Sequence, residues 1–157
     1  MSEYVGDRLP AKLQAAFNGQ DIEQKIGLAY LVVTTDPDGT PRPCMLSAGE
    51  ILVLDDQTMR VALWPRTHTA DNLRRQSPVA ICFVAPNTVL YVKGRPRQLG
   101  PSGTTDIEGF EIKVDSVESD IHEGLPLTQG ISFSCQKADR GALLHTWNKK
   151  LRALKES

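Results

Sequence analysis

Most of the signatures that would assign a chemistry to this chain are missing. Its three cysteines, Cys44, Cys82 and Cys135, lie far apart with no CxxC pair among them. That spacing argues against a cysteine-rich zinc site and a disulfide framework, and leaves small apolar filler inside strands as their expected role. The three histidines, His68, His122 and His145, share no ligand spacing, and no HExxH occurs, so no metal is expected. No GxGxxG follows a strand and no GxSxG elbow marks a nucleophile, so a Rossmann site is unsupported and no catalytic residue is assigned. Residues 100–106 (GPSGTTD) have the glycines of a phosphate loop but neither its lysine nor a following helix. A formal net charge of -1 favours neither nucleic acid nor an anionic membrane. The apolar runs, 28–33 among them, are strand-length and far too short for a bilayer. The opening MSEYVGDRLP has no basic or apolar leader pattern, so a cytoplasmic protein is expected.

What is present is a β-rich pattern. With 157 residues, 40% of them apolar, the chain is expected to form a single domain over 1–157 with a sizeable core. Leu9, Leu13, Ala16 and Phe17 recur at helical spacing between Pro10 and Asn18-Gly19, predicting a helix over about 9–18. From Leu28 the pattern changes to a strand, 28–35, apolar on both faces and so expected to be covered on both. Asp36-Pro37-Asp38-Gly39 supplies hairpin-turn chemistry. The next strand, 41–48, carries two prolines and is therefore expected at an edge. Further strands are predicted at 51–54, 59–64, 79–85, 89–99, 108–117 and 131–136, with a loop at 100–103. A final helix over about 139–154 has Asp139 as its N-cap. Its apolar stripe is Leu143, Leu144, Trp147, Leu151 and Leu154, opposite Lys149, Lys150, Arg152 and Lys155. Hairpin-linked short strands over about 26–136, with few helices, predict a mainly β, six- to eight-stranded antiparallel Greek-key barrel with short flanking helices.

One stretch carries candidate chemistry. In WPRTHTADNLRRQSPVAICFV (64–84), Arg66, Thr67 and Thr69 stand at a helix start between two strands, with Asn72 one turn on. Hydroxyls and a guanidinium beside free backbone N–H groups suit a phosphate. The same residues also make an ordinary helix cap. With no side-chain nucleophile or metal in sight, difficult chemistry would have to come from a bound cofactor.

Three segments together resemble the pyridoxamine 5′-phosphate oxidase-like family of FMN-binding split barrels. They are IGLAYLVVTTDPDGTPRPCMLS (26–47), MRVALWPRTHTADNLRRQSPVAICFV (59–84) and VLYVKGRPRQL (89–99). The resemblance implies a split β-barrel and a homodimer with cofactor sites at the interface. It implies FMN as cofactor, although relatives of this fold also hold deazaflavin F420 or haem, or nothing. By the match, the flavin ring would lie against Cys44, Met45, Leu46, Ser47, Leu63 and Trp64, and the phosphate near Arg66, Thr67, Thr69 and Asn72. Where many FMN-binding members carry a lysine, three residues before the asparagine, this chain has Thr69.

The implied function is a flavin-dependent oxidoreductase passing a hydride through flavin N5 to or from a small molecule, with NAD(P)H as a candidate partner. The alternatives are a non-catalytic flavin- or ligand-binding module for storage, sensing or stress response, and a cofactor-free relative. Trp64 could flank a flavin or fill a barrel end. Lys93, Arg95 and Arg97 share one strand face, either as solvated exterior or as an attractive patch for a phosphorylated substrate. His68 could donate a proton to a flavin edge or simply lie on the surface. The stripe of the last helix could dock on the barrel or on a dimer mate.

Overall fold

The computed structural model describes residues 1–101 and 106–157. Its centre is a curled antiparallel sheet in the order β3-β2-β6-β7-β8-β5-β4. These strands are β2 (Leu28–Thr35), β3 (Pro41–Ser47), β4 (Ile51–Val53), β5 (Thr58–Leu63), β6 (Val79–Ala85), β7 (Thr88–Gln98) and β8 (Glu108–Ser119). Two short strands complete nine among the described residues: β1 (Glu3–Gly6) on β8 and β9 (Ile131–Ser132) on β2. The two ends of the seven-strand path, β3 and β4, are joined by a single 3-10 turn, Ala48–Glu50. The sheet thus curls round to meet itself without a ladder across that seam, which makes it a split barrel.

Alternation explains the core. Val32 and Thr34 of β2, Val79, Ile81 and Phe83 of β6, and Phe110, Ile112 and Val114 of β8 are buried. Their odd-step neighbours Leu31, Val33, Ala80 and Cys82 are half-buried on the outer face. The outer face of β2 is thus less covered than its apolar sequence predicts. The turn between β2 and β3 closes as the DPDG chemistry requires, with Gly39 at φ +88° and Asp36 N–H donating to Thr40 O at 2.8 Å. At Gly94 the β7–β8 register shifts, and a Cβ there would lie 2.4 Å from Lys113 O. Only glycine lets the two strands approach so closely.

Among the described residues three helices flank the sheet: α1 (Ala11–Ala16), α2 (His68–Arg74) and α3 (Arg140–Glu156). α1 is shorter than its periodicity predicts, although Leu9 and Phe17 beyond its ends are still buried. The strand expected over 131–136 shrinks to Ile131–Ser132. The edge of β2 that it reaches is already taken at Leu31–Val33 by β6, leaving only Leu28 and Ala29. Cys135 therefore lies outside any strand, and all three cysteines are half-buried, with Cys44 packed against the core as expected. β1, which pairs with the end of β8, was too short to show as a pattern. The predicted loop at 100–103 and the loop-like GPSGTTD segment fall largely on residues 102–105, outside the described residues.

α3 docks on its own barrel, against the Ala48–Glu50 turn, β4 and β5. Trp147, Leu151 and Leu154 are buried as the stripe predicts, but Asp139 makes no side-chain cap bond. Lys150, placed by its charge on the polar face, is 3% exposed. It stands three residues after Trp147 and four before Leu154, so helical geometry puts it on the stripe.

Candidate functional site

The corner between the β2–β3 hairpin and α2 encloses an open cavity of about 690 Å³. Pro65 ends the preceding strand segment, and Arg66 takes the left-handed turn at φ +67°. Thr67 then caps α2: its Oγ1 accepts from Ala70 N–H at 3.1 Å and donates to Trp64 O at 3.2 Å. Its hydroxyl is therefore spent on the helix itself. Thr69 is buried against Cys44, whose thiol is pushed up by burial against a smaller opposing pull from the Thr69 hydroxyl. Arg66 is exposed and does not line the cavity.

Asn72 is 1% exposed and fully engaged. Its amide donates to Thr34 Oγ1 and to Asp36 Oδ1, each at 2.9 Å, while its carbonyl accepts from Arg75. Asp36 is also gripped by Arg42, through Nε at 3.0 Å and Nη2 at 2.6 Å on Oδ2. The Arg42 guanidinium first, and the Asn72 amide second, hold the Asp36 carboxyl down at about 2. Arg74 is paired with Asp71 and Glu108. The cavity lining thus sets Arg42, Arg74 and Arg75 against Asp36, Asp38 and Asp71, together with His68.

Of the expected residues Asn72 alone lines the cavity, Cys44 and Thr69 meet each other outside that lining, and the structure adds Asp36, Arg42 and Arg75. The signal for the first two lay in the hairpin: DPDGTPR carries an acid and a base on either side of one tight turn. The donor set suits an anion, because the Asp36 carboxylate is itself one, held by a two-pronged guanidinium and an amide. A phosphate fits those donors only where that carboxylate gives way.

The residues expected at the flavin ring separate into two groups. Leu46 and Leu63 point into the core at 4% and 5% exposure, so only their backbone is available to a ligand. Met45 and Trp64 stand half-exposed, and Ser47 donates through its N–H and hydroxyl to Glu50 Oε2 at 2.8 and 3.0 Å. Glu50 in turn meets buried Lys150 at 2.5 Å, whose ammonium lies 4.4 Å from the Trp64 ring centroid. Trp64 thus neither fills the barrel end nor lies free of the protein.

Lys93, Arg95 and Arg97 face Glu118, Asp115 and Glu111 on the neighbouring strand at 2.7, 3.4 and 2.8 Å. These cross-strand pairs cancel the patch and support the solvated-exterior reading. A smaller cavity of about 280 Å³ lies under the 120–127 segment, where Tyr91 Oη donates to Asp120 Oδ2 at 2.8 Å. No helix among the described residues is long and apolar enough to cross a membrane.

No protein-family model matches the chain. Over 146 residues it is 29% identical to YclD, an uncharacterized protein of Bacillus subtilis strain 168, covering 92% of this chain and 94% of that one. A candidate pyridoxamine 5′-phosphate oxidase of Lactobacillus delbrueckii has a TM-score of 0.57 at 19% identity, covering 74% of this chain and 98% of the other. A solved F420 reductase has a TM-score of 0.51 at 15% identity, covering 69% and 98%. At these identities the structural likeness is one of fold, the split β-barrel of pyridoxamine 5′-phosphate oxidase-like proteins.

Proposed function

We propose that this split barrel binds a flavin-type cofactor, FMN foremost, and acts in the cytoplasm as a flavin-dependent oxidoreductase on a small molecule. The observation that carries this reading is the cavity at α2, where Arg42 and Asn72 already grip an anionic oxygen pair. Two fold neighbours, a candidate pyridoxamine 5′-phosphate oxidase and an F420 reductase, point the same way. FMN, when bound, supplies hydride chemistry at its N5; the chain supplies binding and orientation. In this reading Arg42, Arg75 and Asn72 hold the anionic tail. Thr67 shapes α2 by capping it, and buried Thr69 joins α2 to Cys44 of β3. Trp64 and Met45 offer apolar surface to the ring, with backbone groups of Leu46, Ser47 and Leu63 nearby. Arg66 stays at the margin.

The same reading includes a homodimer. Across β3, β2 and β6 the outer face carries the rows Met45–Leu31–Cys82 and Pro43–Val33–Ala80, without a single charge. An uncharged, partly open sheet face of this kind suits a second copy of the chain.

A cofactor-free relative is the second reading. It is favoured by the committed Thr67 and Asn72 side chains and by three carboxylates facing three guanidinium groups. The absorption spectrum of the purified protein, with and without added FMN, separates the two. Flavin bands that bleach with NAD(P)H and return in air support the oxidoreductase. Flavin that binds without bleaching leaves a non-catalytic module, and a colourless protein that takes up no FMN in equilibrium dialysis sinks the flavin reading.

A further inference from the structure

We propose that the Asp36 carboxylate is a resident anion that a phosphorylated ligand displaces from Arg42 and Asn72, so that the seat exchanges one anion for another. This rests on the anion-binding reading above and adds how that site is regulated. A guanidinium edge binds a carboxylate and a phosphate with the same two-pronged geometry, so one set of donors cannot serve both at once. Here the donors are Arg42 Nε and Nη2, at 3.0 and 2.6 Å from Asp36 Oδ2, and Asn72 Nδ2, at 2.9 Å from Oδ1. All three residues line the same cavity.

The carboxylate can leave without dismantling the turn. Main-chain bonds close it, Asp36 N–H to Thr40 O at 2.8 Å and Gly39 N–H to Asp36 O at 2.9 Å. Rotation about the Asp36 side chain therefore frees Arg42 while the hairpin stays shut. Arg42 is reachable from outside, with 41% of its side chain exposed. Arg75 stands beside it on the same cavity, donating to the Asn72 carbonyl. It is a second cation for an incoming dianion. The competition is reciprocal: whatever factor the carboxylate costs the ligand, the ligand costs the Asp36–Arg42 pair.

The test titrates inorganic phosphate, FMN and riboflavin separately into the full chain, wild type and Asp36→Asn, read by calorimetry and by the Arg42 side-chain NMR signal. Removing the charge while keeping the shape should tighten phosphate and FMN roughly tenfold and leave riboflavin unchanged. Asp36→Glu, which keeps the charge on a longer arm, should stay near wild type. Asp36→Ser serves as a second neutral variant should Asn disturb the turn, with thermal unfolding confirming that each variant is folded. Equal phosphate affinity in wild type and the neutral variants, or no phosphate binding to any of them, overturns the proposal and reduces Asp36 to a hairpin staple. If FMN binds none of the proteins while phosphate still prefers the neutral variants, the flavin reading fails and the resident anion stands. If FMN binds wild type and Asp36→Asn alike, and phosphate does too, the flavin reading stands and the resident anion fails.

Discussion

The Asp36–Arg42 pair on the hairpin and the Glu50–Lys150 pair under α3 are made of similar parts: a carboxylate, a cation and a neighbouring polar group. Their carboxylates are comparably covered, at 13% and 14% side-chain exposure, but the cations differ, Arg42 at 41% and Lys150 at 4%. Around Lys150 the protein is closed. Trp147 lies so tightly on Gly49 that a Cβ there would come within 1.9 Å of its Cγ. Arg60 ties down the end of α3, donating to Leu154 O at 2.6 Å and Ser157 O at 2.9 Å. Around Arg42 the protein opens onto a cavity. Burial of the cation, not the presence of a pair, separates a charge that holds the fold from one that can meet a ligand.

The comparison breaks first at the packed side. Trp147→Ala removes a buried indole and should cost about 3–5 kcal/mol in urea unfolding, with Gly49→Ala also destabilising through overpacking. A loss below about 1 kcal/mol for both would mean that α3 is not anchored there. Next comes the pair itself. Glu50→Gln leaves the buried ammonium without its carboxylate and should cost about 3 kcal/mol. The double variant Glu50→Gln with Lys150→Met should recover most of that loss. If the single variant is as stable as wild type, the two pairs are equivalent and the contrast is gone.

The smallest effect lies at the hairpin. With its pKa lowered from 3.8 to about 2, Asp36 binds protons less readily folded than unfolded. Its contribution to stability is therefore fully present above pH 3.8 and fades as pH falls through about 2. Its carboxyl carbon signal should remain that of the ionised form at pH 3, and Arg42→Ala should move the midpoint up. His68 acts on Asp36 through charge alone, as Asp38 does on Arg42. A wild-type midpoint near 3.8 would show that Arg42 does not hold the carboxylate in solution.

How much was legible follows from distance along the chain. The hairpin, its turn and the limits of β2 and β6 could be read because alternation and DPDG turn chemistry act over a few residues. The Thr67 cap was visible for the same reason, as one of two readings of the same residues, and the structure draws its hydroxyl into the cap. Lys150 was misplaced because a charge normally marks a solvated face, and its partner Glu50 stands a hundred positions away. Cys135 was misread because ISFSC alternates like a strand, whereas the edge it needed had already gone to β6. Arg42 and Asp36 escaped notice because an acid and a base across a turn look like ordinary surface until Asn72 arrives from α2 to share the carboxylate.

The amino-acid order by itself determined most of the strands and the tight turns, since these depend on local stereochemistry and on a period of two or 3.6 residues, while the split-barrel class was implied by the resemblance of whole segments. Which donors meet, which charge is buried and which face stays open were decided only when β3, α2 and α3 came together. Coulombic and hydrogen-bonding partners are chosen by distance in space and by the water excluded around them, and neither quantity is written along a chain.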